Sequence, residues 1–213
     1  SLGHFLDELD RKVGKGRWAM ILTSDHGGSP LPETLNGGRF TFEQIQRAAN
    51  QAASLELGAG DWIAYVGEPQ VYLSQAALAQ DPKSLKAAMK KILFALRAFP
   101  GIAIADRTDA VTGDCDKRDG DDRALCLTLD RERSGEFFFM PAKGWIMEEE
   151  DERLATAHGS LNDYDRNVPV VLLPFDRKPH DPVAAPGPEL SLAEIAPLIA
   201  SWLGVQSPTQ LPR

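Results

Sequence analysis

The run Trp18-Ala19-Met20-Ile21-Leu22-Thr23-Ser24-Asp25-His26-Gly27-Gly28 constrains the fold more than any other stretch of the chain. Its apolar half is entered through Gly16-Arg17 and left through a glycine pair, which suits a central strand of a parallel sheet covered on both faces. Ligands in such sheets collect beyond the carboxyl ends of the strands. There the run places a carboxylate and an imidazole on consecutive residues. Asp25 and His26 are hard and borderline donors, and the glycines after them let the backbone turn with no side chain in the way. Two readings of the pair stand: half of a metal site, or a strand-to-loop turn in which Asp25 caps a backbone amide and His26 is solvated.

A second histidine-glycine turn shifts the balance. Thr156-Ala157-His158-Gly159-Ser160 follows a polar loop and precedes another apolar segment, Val168-Pro169-Val170-Val171-Leu172-Leu173. Two such turns, each beside a candidate core strand, favour one shared site holding Asp25, His26 and His158 over two unrelated turns.

Four segments together resemble the alkaline phosphatase superfamily. They are Thr23-Ser24-Asp25-His26-Gly27, Ala157-His158-Gly159-Ser160, Tyr164-Asp165-Arg166-Asn167-Val168-Pro169 and Ser191-Leu192-Ala193-Glu194-Ile195-Ala196-Pro197. Within the superfamily the likeness is to the single-chain bacterial phosphatases and the nucleotide pyrophosphatase/phosphodiesterases that use two zinc ions. The motifs keep the family's order and span nearly the whole chain. The resemblance implies an α/β fold, a three-layer sandwich with a mostly parallel central sheet. Residues 1–40 and 148–213 would form the core and residues 41–147 an inserted α+β lobe beside the active site.

The same resemblance implies the chemistry. Asp25 and His26 would coordinate the zinc that also holds a threonine or serine nucleophile, and His158 would serve the other zinc. The substrate would be a small-molecule phosphate ester, mono- or diester, and the setting periplasmic or secreted. In the family the nucleophile, the remaining metal ligands and the residues that grip the phosphate belong to segments upstream of Ser1. The chain is therefore expected to be the C-terminal part of a longer hydrolase, inactive alone, whose foremost partner is the missing N-terminal part. Three ligands divided between two ions complete neither shell, because zinc takes four. Two readings from other classes are a catalytically inactive binding module, in which the three residues would not converge, and an accessory domain working through the 41–147 lobe.

Composition narrows the partners. With 213 residues, 43% hydrophobic, the chain is long enough for one substantial core. A net charge of -8 argues against a duplex nucleic-acid surface, which needs clustered Lys and Arg. No apolar run is long enough to span a membrane. Residues 1–13 lack a signal-peptide pattern and read as an amphipathic helix from the middle of a domain, with His4 on its surface. Cys115 and Cys126 are the only cysteines. Their closeness allows a disulfide in an oxidising compartment, free thiols being the alternative, and no Cys-x-x-Cys accompanies them to suggest a metal.

Local patterns place the remaining elements. Thr41 with Gln44 forms a capping box before a helix that runs to Gly58, and a hairpin follows over residues 61–73. Asp81-Pro82 opens the longest helix, whose apolar stripe includes Leu85, Ile92 and Leu96. The acid-rich residues 109–122 fit an exposed loop better than a calcium loop, whose spacing and terminal glutamate are missing. Residues 135–141, 145–147 and 168–175 read as strands and 177–188 as an extended connection. Ser191 caps a last helix with a kink expected at Pro197 and a buried face of Leu192, Ile195, Leu198, Ile199, Trp202 and Leu203.

Overall fold

The computed structural model describes residues 1–67, 69–173 and 190–207. Helix α1 (Leu2–Lys12) starts on Ser1, whose Oγ accepts from the His4 amide at 3.4 Å, and His4 lies exposed as expected. Strand β1 (Met20–Leu22) leads into a long loop with one 3-10 turn (Pro32–Leu35), then strand β2 (Arg39–Thr41). Thr41 caps α2 (Phe42–Leu57) reciprocally: its Oγ1 accepts from Gln44 N at 3.2 Å while Gln44 Oε1 accepts from Thr41 N at 3.0 Å. The expected hairpin is β3 (Ile63–Gly67) with β4 (Gln70–Leu73), and the short α3 (Gln75–Leu78) follows. Asp81 Oδ1 accepts from the amides of Lys83 and Ser84, both at 3.1 Å, to start α4 (Pro82–Ala98). The rest are β5 (Ile102–Arg107), α5 (Thr108–Val111), α6 (Gly120–Thr128), β6 (Phe137–Pro141), β7 (Ile146–Glu148), α7 (Asp163–Arg166), β8 (Val171–Leu173) and α8 (Ile195–Leu203). Among the described residues no helix is long and apolar enough to cross a membrane.

The chain divides into two compact units, residues 1–25 with 168–213, and residues 26–167. The second unit is built on the antiparallel sheet β3-β4-β6-β5. Strand β6 is buried along all five residues. Alternation explains why it must be: Phe137 and Phe139 join Ile45 and Ala49 of α2 and Ile92 and Leu96 of α4, while Phe138 and Met140 pack with Leu125 and Leu129. A strand covered on both faces reads as one continuous apolar run. Strand β2, unannounced in the glycine-rich loop, pairs in parallel with β7, Arg39 opposite Ile146 and Thr41 opposite Glu148. The expected lobe, residues 41–147, lies inside this unit, which also takes in 26–40 and 148–167.

The acid-rich loop is exposed, and three of its aspartates pair with separate cations rather than gather. Asp114 meets Lys117 at 3.0 Å, Asp116 meets Arg123 at 3.4 Å and Asp121 meets Arg166 at 2.7 Å. Cys115 and Cys126 are joined in a disulfide with Cα atoms 5.5 Å apart, so the bridge, not the thiol pair, is the form adopted.

The first unit corrects two expectations. Of the 18–28 stretch only Met20–Leu22 is strand, and it pairs antiparallel with β8, Met20 opposite Leu173 and Leu22 opposite Val171. Among the described residues it has no second neighbour, and Leu22 stays 44% exposed. It is thus not a central, doubly covered strand here; an apolar run records a need for cover and does not supply it. Likewise α8 buries only Ala200, leaving Ile199 and Leu203 40% and 57% exposed. Pro197 falls in the first turn of α8, where its missing N–H has no intrahelical partner to lose, so no kink is required. The remainder of the strand expected over 168–175 beyond Leu173, and the connection at 177–188, lie outside the described residues.

Phe139→Ala is expected to lower the unfolding free energy by about 3–5 kcal/mol in urea melts. Phe94→Ala, at a side chain 73% exposed on the neighbouring helix α4, should change it by less than about 0.5 kcal/mol.

Candidate metal centre

Both histidine-bearing loops of the second unit are laced together by main-chain bonds. Ser29, buried to 7% exposure, engages every polar group it has. Its N–H donates to Ala157 O at 2.8 Å, its Oγ accepts from Ala157 N at 3.1 Å, and its carbonyl accepts from Thr156 Oγ1 at 2.6 Å. Gly27 N donates to Asp165 O at 2.8 Å. That approach admits no side chain, because a Cβ on Gly27 would stand 2.0 Å from Tyr164 O.

An ionic clamp holds the next turn of the same two segments. Arg39 pairs bidentately with Glu33 and donates through Nε to Leu154 O at 3.1 Å, while Glu148 accepts from Leu154 N at 3.0 Å. The Arg39 guanidinium pulls the Glu33 carboxyl down to about 2, well below the ordinary carboxylate range.

The consequence is that His26 and His158, remote in sequence, stack face to face with ring centroids 3.7 Å apart and planes inclined by 21°. Both residues are exposed. His26 Nδ1 lies 2.7 Å from Gly27 O, a contact that favours the proton on Nδ1 and the lone pair on Nε2. Asp25 belongs to the first unit, is bonded to His26 through the chain, and accepts from Ser24 Oγ at 3.3 Å. The structure thus brings together two of the three side chains singled out in the sequence.

The donor chemistry suits zinc, since neutral imidazole with carboxylate is one of its ordinary ligand sets. It suits only part of a site. Among the described residues no group of three or more His, Cys, Asp or Glu side chains makes a metal-holding cluster. Sequence reasoning missed Ser29, Arg39 and Asp165, which position the pair without joining it. Their signals were weak: a serine after two glycines, an arginine at a loop's end, an aspartate in a four-residue helix.

No family model matches the chain. It is 24% identical over 213 residues to a calcium-transporting ATPase of Myroides odoratus, a match covering 97% of this chain and 38% of the relative. It is 23% identical to alkaline phosphatase PafA of Elizabethkingia meningoseptica, covering 98% of this chain and 38% of that one. Alkaline phosphatase PhoV of Synechococcus elongatus is 22% identical, with 98% and 37% covered. The crystal structure of wild-type PafA superposes with a TM-score of 0.74 at 22% identity, covering 98% of this chain and 39% of that one. Its sequence is similar to those of the alkaline phosphatases PafA and PhoV over nearly its whole length, and its fold is the α/β fold of PafA. It spans about 38% of the length of the relatives it matches.

Two outcomes test the lacing. Gly27→Ala should part the loops, lowering stability by about 1–3 kcal/mol and abolishing the ring-current shifts of the stacked imidazoles in NMR spectra. Glu33 should titrate near about 2. Because its folded pKa is depressed, its contribution is present above the ordinary carboxylate range and is lost as pH falls towards that value. Arg39→Met should return the titration to the ordinary range.

Proposed function

We propose that this chain is the C-terminal part of a metal-dependent phosphate ester hydrolase of the alkaline phosphatase or phosphodiesterase type. The carrying observation is the convergence of His26 and His158 at 3.7 Å, on loops joined by the bonds of Gly27 and Ser29. In this reading Asp25 and His26 are ligands of one zinc and His158 of a second, with the nucleophile, a threonine or serine, supplied by a preceding part of the same polypeptide. When bound, zinc ions lower the pKa of an attacking oxygen and steady a departing one. The chain's own share is to hold two neutral imidazoles in place. His26 is turned by its Nδ1 contact with Gly27 O so that Nε2 is the donor atom. The 41–147 segment is the lobe that flanks this site.

Two further observations support the reading. In the first unit Leu2, Phe5, Leu22, Val171, Ile199 and Leu203 are each at least 40% exposed, an apolar surface suited to packing against the remainder of a larger protein. The relatives' greater length supplies such a remainder. The disulfide fits an oxidising, periplasmic or secreted setting.

The test is an assay of the longer polypeptide that contains this chain. A phosphate monoester and a phosphate diester should be hydrolysed with zinc, and hydrolysis should cease with chelator. His26→Ala and His158→Ala should each lower kcat/KM by more than about 100-fold, beyond what loss of a supporting group alone produces. Full activity in both variants, or indifference to chelator, would sink the proposal.

A further inference from the structure

Asp165 stands apart from every other acidic residue described, being only 6% exposed. Its Oδ2 accepts from Ser160 N at 2.8 Å and from Ser160 Oγ at 2.5 Å, which fastens the turn that carries His158. Ser160 Oγ in turn accepts from Asn162 N at 3.1 Å and from Asn162 Nδ2 at 2.8 Å. The main-chain carbonyl of Asp165 takes the Gly27 amide, fastening the turn that carries His26. The other carboxylate oxygen, Oδ1, is buried, and among the described residues no group donates to it. Leaving such an oxygen unsatisfied is costly, more so when it is charged. Asp165 lines a small cavity together with Ser29, Trp145, Ala157, His158 and Ser160, and the room there is about that of one water molecule.

We propose that Asp165 is a positioning residue for His158, acting through a water held between Oδ1 and the imidazole. The proposal rests on reading the histidines as ligands, and it names the group that sets the tautomer of the second one. A carboxylate only accepts, so it takes one of the water's two hydrogens and leaves both of its lone pairs for other donors. A water so oriented accepts the imidazole N–H on the cavity side and leaves the opposite ring nitrogen with the lone pair needed for a metal. His26 has its own device, the Gly27 carbonyl. His158 uses this one.

Asp165→Asn separates positioning from mere support. The amide oxygen can keep both bonds to Ser160 while the NH2 replaces Oδ1, so the water is turned round and offers a hydrogen to the ring. Long-range proton–nitrogen NMR spectra of this chain, recorded at a pH where imidazoles are neutral, report the tautomer directly. One tautomer of His158 should dominate in the wild type, and Asp165→Asn should shift it towards the other. Ser160→Ala, which loses a support bond but keeps Oδ1, should leave it unchanged. Zinc affinity, measured calorimetrically on the longer polypeptide that contains this chain, should fall about 10-fold or more in Asp165→Asn. A folded Asp165→Asn with the wild-type tautomer overturns the proposal. So does a mixed tautomer in the wild type, which decides the matter even where the variant fails to fold. Absence of zinc binding by that longer polypeptide counts instead against the ligand reading, and the tautomer result is then judged by itself.

Discussion

The contact between Gly27 and the 164–165 peptide is the constraint on which the site depends. A 2.8 Å bond from Gly27 N to Asp165 O closes the loop after His26 onto the helix after His158, at a separation that only a residue without Cβ tolerates. Ser29 then repeats the stitch two residues on, with three bonds to Thr156 and Ala157. Two of these bonds join main chain to main chain and two run through the Ser29 and Thr156 hydroxyls; together they fix the register of the loops. His26 immediately precedes the first stitch, and His158 lies between the two on the facing loop. Their meeting is a by-product of where the backbone is pinned.

Behind that lacing stands a different kind of support. Strand β6 fills both sides of its sheet with Phe137 to Met140, and α2 and α4 close one face over it. Strand β7 follows β6 in the chain and carries β2 beside it, so the rigid core delivers both flanks of the site loops at a fixed spacing. Arg39, the first residue of β2, spends its guanidinium on Glu33 and Leu154, one on each loop. The scaffold is apolar and the loops are polar, the division expected where function is mounted on a packed frame.

Legibility in the sequence followed the range of the interaction. Thr41 with Gln44 and Asp81 with Pro82 are local signals, answered within one turn of helix, and α2 and α4 began where they indicated. The Phe137 to Pro141 run could be read because burial on both faces erases alternation. Strand β2 could not, since three residues in a glycine-rich loop acquire their pairing only from β7. The repeated histidine-glycine turn made His26 and His158 legible, because two chemically identical signals point to one place. Ser29 and Asp165 carried no such repetition: their partners are distant in sequence, and only coordinates reveal a buried carboxylate. The misjudged stretch, 18–22, shows the limit of hydropathy, for an exposed apolar strand and a central one are spelled alike.

A face-to-face pair of imidazoles in water is held weakly; ring stacking contributes about 0.5–1.5 kcal/mol at best, less for small polar rings at an exposed site. The bonds of Gly27, Ser29 and Asp165 outnumber that contribution and do not involve the rings at all. The arrangement is therefore set by the fold itself, and no cost of ordering two loops is left to be met when the site is used. It follows that the histidines are separable from the architecture. Exchanging either ring alters what the site can hold while the loops that present it stay where the peptide groups have placed them.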